Sequence, residues 1–313
     1  MTIAFIFPGQ GSQSVGMGRD LAGAFSAARL LFQEIDDALN QNLSRIMFEG
    51  PDDELRLTEN AQPALMATSM AIIRVMQEEG GVEIDNAAAF VAGHSLGEYT
   101  ALAAAGSIGL IDTARLLKLR GQSMQKAVPV GEGAMTALLG LEFDVACEVA
   151  SEAAQGEVCD PANDNAPGQV VLSGATAAIE RAMQIAKEKG ARRAIPLPVS
   201  APFHCAMMAP AADVMAQALA ETDIEAPCVP LVANVSAAEA VDPPVIRRLL
   251  VKQVTKMVRW RECVGYMKDS GVDTLIEIGT GKVLSGLTRR IDRDLSARSV
   301  QSPADIEALL KDL

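Results

Sequence analysis

Apolar residues alternate along this chain between short unbroken runs and helical stripes, and that alternation predicts an α/β protein. Ile3 to Phe7 is one apolar run, closed by Pro8-Gly9, and reads as a buried first strand. Helical spacing then fills about 19–49 and 61–80. Ala87 to Ala92 is a second buried run, followed after a glycine turn by the Ala-rich stretch Glu98 to Ala105, which suits a helix. Residues 112–127 predict a further helix, with Asp112 as its N-cap.

The rhythm changes near Pro129. Ala134–Leu141, Gln169–Ser173 and Ala191–Val199 read as strands, with Phe143–Ala154 and Ala177–Lys189 as the helices between them. This β-α-β-α-β block of about 70 residues lies between Pro129 and the cluster Pro196, Pro198 and Pro202. It has the character of a small ferredoxin-like domain inserted into a larger one. Beyond it, a helix is expected over Ala211–Glu221, a strand near Val229–Asn234, a helix near Pro244–Val254 and a late strand over Val272–Ile278. No internal repeat or low-complexity segment is visible.

Composition narrows the function classes. Hydrophobic residues make up 49% and aromatics 4%, so the core is aliphatic and Ala-rich, which disfavours an all-β sandwich. A net charge of −13 argues against general nucleic-acid binding. Residues 245–298 nevertheless hold twelve Lys and Arg against six Asp and Glu, a local +6 that leaves −19 on the rest. Such a segment can steer an anionic partner, or it can be a solvated face with its own ion pairs. The five cysteines, Cys147, Cys159, Cys205, Cys228 and Cys263, are odd in number and widely spaced, as expected for reduced thiols in the cytoplasm. With two histidines in the chain, zinc is not expected. The apolar start lacks a basic region and is too short for a signal peptide, and no apolar run is long enough to span a membrane.

The densest chemical signal is Gly93-His94-Ser95-Leu96-Gly97. It reads G-x-S-x-G between a predicted strand and a predicted helix, the setting of a nucleophile elbow. The turn lifts the Ser95 hydroxyl above the sheet, at the positive end of the following helix. A serine nucleophile needs a base. His94 is adjacent in sequence, and neighbours on such a turn point apart, so His94 reads as structural. His204 remains, in the proline-rich connection Val199-Ser200-Ala201-Pro202-Phe203-His204 after a strand. Arg120 lies with Leu116, Leu117 and Met124 on one helical stripe, so its guanidinium faces apolar surroundings. It can pair with a protein carboxylate, snorkel outward, or grip an anionic substrate. Gly9-Gln10-Gly11-Ser12-Gln13 follows the first strand without the lysine of a P-loop. Its backbone N–H groups can instead face an oxyanion above Ser95.

Taken together, these motifs resemble the malonyl-CoA:acyl carrier protein transacylases of bacterial fatty-acid synthesis. The resemblance rests on Phe7-Pro8-Gly9-Gln10-Gly11-Ser12-Gln13, Gly93-His94-Ser95-Leu96-Gly97-Glu98-Tyr99, Arg120-Gly121, Asn165-Ala166-Pro167-Gly168-Gln169-Val170-Val171, Pro198 to His204, and Gly281-Lys282-Val283-Leu284. It covers nearly the whole chain. It implies an α/β-hydrolase-like core, 1–127 and 200–313, with an inserted ferredoxin-like subdomain, 128–199. It further implies Ser95 as the acylated nucleophile, His204 as its base, and Arg120 as the arginine that binds the malonyl carboxylate. The backbone N–H groups of Gln10 and Leu96 correspond to the oxyanion hole. The backbone carbonyl of Gln253 corresponds to the group that holds His204, in place of a catalytic Asp. The segment Gln253 to Trp260 differs from the Asn-Pro-containing form common in the family, and Thr280 stands where a proline is usual. The implied partners are malonyl-CoA and acyl carrier protein, with no nucleic acid, membrane, metal or bound cofactor, coenzyme A being part of the substrate and the leaving group.

Three rival readings share these residues. A serine hydrolase or thioesterase would use the same dyad and normally add an acid between them in chain order. An acyltransferase component of another malonyl system, such as a malonate decarboxylase, would use all of them. A non-catalytic docking module for carrier protein would be expected to have lost the dyad, yet Ser95, His204 and Arg120 are all present.

Overall fold

The computed structural model of the chain describes residues 1–199 and 201–313; Ser200, within the motif preceding His204, lies outside the described residues. Its strands in chain order are β1 (Ile3–Phe7), β2 (Phe90–Gly93), β3 (Gly133–Leu139), β4 (Cys159–Ala166), β5 (Gln169–Ala175), β6 (Arg193–Pro196), β7 (Leu231–Ala233), β8 (Ala238–Ala240), β9 (Thr274–Ile278) and β10 (Ser296–Val300). They form two sheets. The larger has the order β10-β9-β1-β2-β7-β8 and the smaller β4-β5-β3-β6.

In the larger sheet every pair is parallel except β7–β8. Parallel strands are covered on both faces, and β1 shows it by alternation. Ile3, Phe5 and Phe7 enter one core with Val91, Leu231 and Ile276. Ala4 and Ile6 enter another with Ala92, Val232 and Leu275, beneath Trp260, Cys263 and Met267. The chain leaves β1 for β2 on one side and later returns to β9 on the other, so strand order reverses at β1. In open α/β sheets the crevice at such a switch point, beyond the carboxyl ends of the strands, is where ligands bind. The loops after β1 and β2 carry Gln10 and Ser95.

The smaller sheet is antiparallel, built in the order strand, helix, strand, strand, helix, strand. Leu138, Val170 and Leu172 face the helices Phe143–Ala154 and Thr176–Glu188. Met135 and Val171 face the larger unit and join its core.

Several elements depart from the sequence pattern. β4 was not expected, because Cys-Asp-Pro-Ala-Asn-Asp-Asn-Ala has no apolar alternation. Its Asn163 and Asp164 side chains are buried instead of facing water. Asp164 is fully buried and pairs with Arg261 at 2.7 Å, and the Asp164 N–H donates to the Val258 carbonyl. The helices Trp260–Asp269, Val283–Ile291 and Pro303–Leu310 and the strands β8 and β10 were also missed. The helix expected to start at Asp112 begins at Leu110 with Gly109 as its cap, and Asp112 lies in its first turn. The run at Ala87 closes a one-turn helix, Ile84–Ala87, before β2 begins at Phe90.

The helix that carries Arg120, Leu110–Ala127, crosses the first turn of Thr58–Gly80 at Gly121. A Cβ at Gly121 would lie 2.5 Å from Glu59 Cα and 2.7 Å from the Thr58 carbonyl oxygen. Gly121→Ala is therefore expected to push the two helices apart at a cost of about 1–3 kcal/mol. Denaturant unfolding measures it, and wild-type stability in the variant would show that the contact yields freely.

Candidate active site

Ser95 sits between β2 and the helix Leu96–Ala104 with φ of +54°. Few non-glycine residues hold that conformation, so the surrounding packing has to impose it. Two glycines allow that packing. A Cβ at Gly93 would lie 1.9 Å from the Gly97 carbonyl, and one at Gly97 would lie 2.3 Å from the Phe7 carbonyl. The helix therefore starts pressed against the ends of β1 and β2, and the serine is driven out into the crevice.

His204 arrives from the connection after β6, also at positive φ, +59°. Its Nε2 lies 2.8 Å from Ser95 Oγ. Its Nδ1 lies 2.7 Å from the Gln253 carbonyl oxygen. A carbonyl only accepts, so Nδ1 carries the proton and Nε2 is free to accept from the serine hydroxyl. Burial, and then the charge of Arg120, push the His204 pKa down to about 3, against the Gln253 carbonyl, which raises it. The ring is thus neutral, in its base form, at ordinary pH. Since the folded pKa lies below the unfolded value near 6.5, this site contributes stability above that value and loses it as pH falls toward 3.

Arg120 is 1% exposed, which removes the snorkelling reading. Its Nη1 donates to Gln62 Oε1 at 2.8 Å, and its Nη2 to Gln253 Oε1 at 2.9 Å and Ser95 Oγ at 3.1 Å. The guanidinium lies 5.6 Å from the centre of the Tyr99 ring. Among the described residues, its side-chain partners are these neutral groups and no carboxylate forms an ion pair with it, and its Nε has no partner. Of the three readings of Arg120, the one these contacts favour is an anion in the adjoining cavity. That cavity, about 320 Å³, is lined by Gln10, Ser95, Leu96, Arg120 and His204 on its polar side, and by Met124, Met135, Leu197, Val199 and Phe203 elsewhere.

Gln10 and Leu96 border this cavity from the ends of β1 and β2. The Leu96 N–H heads its helix, whereas those of Gly97 and Glu98 donate to the His94 and Ser95 carbonyls. His94 points the other way. Its Nε2 lies 2.8 Å from Asn165 Oδ1 in β4, and its ring packs 5.8 Å from Trp260. It connects the two sheets.

The sequence reading missed the network beneath the serine. Asn234, just past β7, accepts the Ser95 N–H on Oδ1 at 2.9 Å and donates Nδ2 to the Gly93 carbonyl at 2.8 Å. Glu98 Oε2 accepts the Asn234 N–H at 2.7 Å. Gln253 Nε2 donates to the Ser95 carbonyl, Glu98 Oε2 and Asn234 Oδ1 at 3.0, 3.1 and 3.2 Å. Glu98 was within reach of the argument used for Arg120, as a charge on an apolar helix. Asn234 offered no such signal. The basic segment is largely engaged by the fold. Arg259 pairs with Glu262, Arg261 with Asp164, Lys268 with Asp292 and Arg298 with Asp312, whereas Lys256 remains exposed. Arg259 is therefore not a free contact for an anionic partner.

Residues 4–301 match the family model described as acyl transferase domain. The chain is 46% identical over 308 residues to the malonyl CoA-acyl carrier protein transacylase of Escherichia coli strain K12, covering 98% of each. The crystal structure of an acyl-carrier-protein-S-malonyltransferase from Bartonella henselae superposes with a TM-score of 0.97 at 55% identity, over 100% of this chain and 99% of that one. A malonyl-transacylase solved in complex with its type II polyketide synthase acyl-carrier protein gives 0.96 at 45% identity, over 100% of both chains.

With two histidines, the chain permits a direct titration by NMR. Neither ring is expected to titrate near pH 6.5, because burial lowers both. His204→Ala should cost on the order of two to four decades in rate, and His94→Ala should chiefly affect stability. A His204 ring titrating near 6.5 would contradict the buried, neutral base.

Proposed function

From the premise that this chain belongs to the acyl transferase domain family, we propose that it moves a malonyl group from malonyl-CoA to the phosphopantetheine thiol of an acyl carrier protein through a malonyl-serine. The observation that carries this reading is the meeting of Ser95, His204 and Arg120, which no carboxylate contacts directly, on one cavity.

In the first half-reaction Ser95 Oγ attacks the thioester carbonyl and its proton passes to His204 Nε2. The tetrahedral oxyanion is received by the backbone N–H groups of Gln10 and Leu96. Collapse breaks the C–S bond, and the proton on His204 goes to the departing coenzyme A thiolate. In the second half the carrier thiol gives its proton to His204 and attacks the serine ester, and Ser95 regains its proton as the bond to Oγ breaks. One difficult transfer becomes two easier ones. No bound cofactor or metal enters; coenzyme A comes and goes with the substrate.

The imidazole is held by a backbone carbonyl, which orients it and fixes its tautomer without a third acidic residue. This favours the transferase over a hydrolase of the usual Ser-Asp-His kind. Arg120 receives the malonyl carboxylate through a guanidinium already held at Nη1 and Nη2. In the same reading the six-stranded unit, 1–127 and 200–313, is an α/β-hydrolase-like core, supported by its parallel order and switch-point site. The four-stranded unit, 128–199, is a ferredoxin-like insert, supported by its strand-helix-strand-strand-helix-strand order. No helix among the described residues is long and apolar enough to cross a membrane. The reading assigns the enzyme to the cytoplasm, where its five free cysteines would stay reduced.

Incubation with malonyl-CoA followed by peptide mass spectrometry should find the malonyl group on Ser95 and none in Ser95→Ala; an adduct mapped elsewhere would defeat the mechanism. Arg120→Ala should lower the ratio of kcat/KM for malonyl-CoA over acetyl-CoA by about 2–5 kcal/mol, as for other truncated charge pairs. Lys at this position should rescue only part, lacking the planar fork. Equal losses for both substrates would make the arginine structural.

A further inference from the structure

Glu98 is a carboxylate that the proposed reaction does not use. It is fully buried in the helix that begins at Leu96. Its Oε2 accepts from the Asn234 N–H and from Gln253 Nε2, and its Oε1, equally buried, has no hydrogen-bond partner among the described residues. A buried acid with an empty oxygen is costly, and an amide could supply the one acceptor that is used. What an amide could not supply is charge. The other end of the same Gln253 side chain, Oε1, accepts from Arg120 Nη2. A single amide thus joins a buried cation to a buried acid, its negative end on Arg120 and its positive end on Glu98.

We propose that Glu98 is the counter-charge of Arg120, linked to it through the Gln253 side chain, and that its protonation sets how tightly Arg120 holds the substrate carboxylate. The proposal rests on the reading of Arg120 as the malonyl-carboxylate residue. With Glu98 ionised, the pair is balanced, and an incoming carboxylate leaves an excess negative charge in a region of low polarizability. With Glu98 protonated, the incoming carboxylate itself balances Arg120. Malonyl binding and proton uptake at Glu98 therefore favour one another, each by the same factor. Glu98 is a specificity-determining positioning residue, since it reaches the substrate through Arg120.

The exchange falls in a useful range. Burial raises the Glu98 pKa to about 7, against the Asn234 N–H, Gln253 and Arg120, which lower it. The other titratable groups that face this cluster keep their charge near neutral pH. Tyr99, its neighbour on the same helix, is pushed up to about 12 by burial. Cys263, from Trp260–Asp269, is raised by burial, and burial lowers both His204 and His94. Glu59, at the start of Thr58–Gly80, is lowered by its Gln122 contact and stays ionised. Arg120, from Leu110–Ala127, is a guanidinium and keeps its proton. Strands β1, β2 and β7 carry no titratable side chain.

The test compares two thioesters of N-acetylcysteamine, which lacks the titrating phosphates of coenzyme A. One carries malonyl, the other its neutral malonamoyl analogue with a terminal carboxamide. The ratio of their kcat/KM values cancels what the two share, including the state of His204. From about pH 6 to about pH 9 the wild-type ratio should fall on the order of tenfold, through KM, as one buried charge appears an amide away from Arg120. Glu98→Gln keeps an acceptor for Asn234 and Gln253 but carries no charge, so it should hold the high ratio throughout. A purely structural Glu98 would change kcat for both substrates alike and leave the wild-type ratio flat. A flat wild-type ratio, or a Glu98→Gln variant that follows the wild-type curve, would overturn the proposal. If the variant does not fold, the wild-type curve still decides. Failure of the underlying malonyl reading looks different: the wild-type ratio would then be near one at every pH and unmoved by Arg120→Ala.

Discussion

Arg120 places a positive charge where almost no water reaches it, and the cost of that burial has to be met by nearby dipoles and charges. Two side-chain amides, a hydroxyl and an aromatic ring meet part of it. One of those amides belongs to Gln253, which also fixes Ser95 through its carbonyl and His204 through the Gln253 main chain. Ser95, His204 and Arg120 are thus tied to a single position at the end of the Pro243–Gln253 helix. A displacement of that helix end would disturb all three together. This is how Ser95 and His204 can hold their geometry without a third side chain on the imidazole, because the helix terminus does the orienting.

The same economy of parts appears in the backbone. Ser95 and His204 both sit at positive φ, a conformation that costs free energy at ordinary residues. The cost at Ser95 is borne by the close seating of its helix on the first two strands, through Gly93 and Gly97, and by the Asn234 side chain, which holds both Gly93 and Ser95. Strained residues held by satisfied polar partners are preorganised. Little has to move when substrate arrives, so binding free energy is left for the transition state.

The smaller sheet closes the cavity rather than building its chemistry. Met135, Leu197 and Val199 come from this part of the chain and form much of the apolar wall. Its polar attachment runs through β4, in which four of the eight residues are Asp or Asn. Asp164 is paired with Arg261, and Asn165 reaches His94, the neighbour of Ser95. The histidine beside the serine is therefore a joint between the two sheets, and it keeps the cavity wall in register with the elbow.

Local signals carried much of this. The G-x-S-x-G turn between an apolar run and an Ala-rich helix was enough to locate Ser95, because an elbow is made by contiguous residues. Arg120 was legible as a charge on an apolar stripe for the same reason, and His204 by elimination. The roles expected for Gln10, Leu96 and Gln253 came instead from resemblance to a family, since a backbone N–H or carbonyl leaves no mark on residue identity. β4 and the contacts that join Glu98, Asn234 and Gln253 could not be read locally. Polar residues in sequence signal exposure unless something distant buries them, and here the partners lie 97 residues from Asp164 and 155 from Glu98. The 2.8 Å contact between Ser95 and His204, 109 residues apart, likewise belongs to the packed whole. Periodicity and turn chemistry fix what a segment becomes. Which charges are buried, and what answers them, is decided where segments distant in sequence meet.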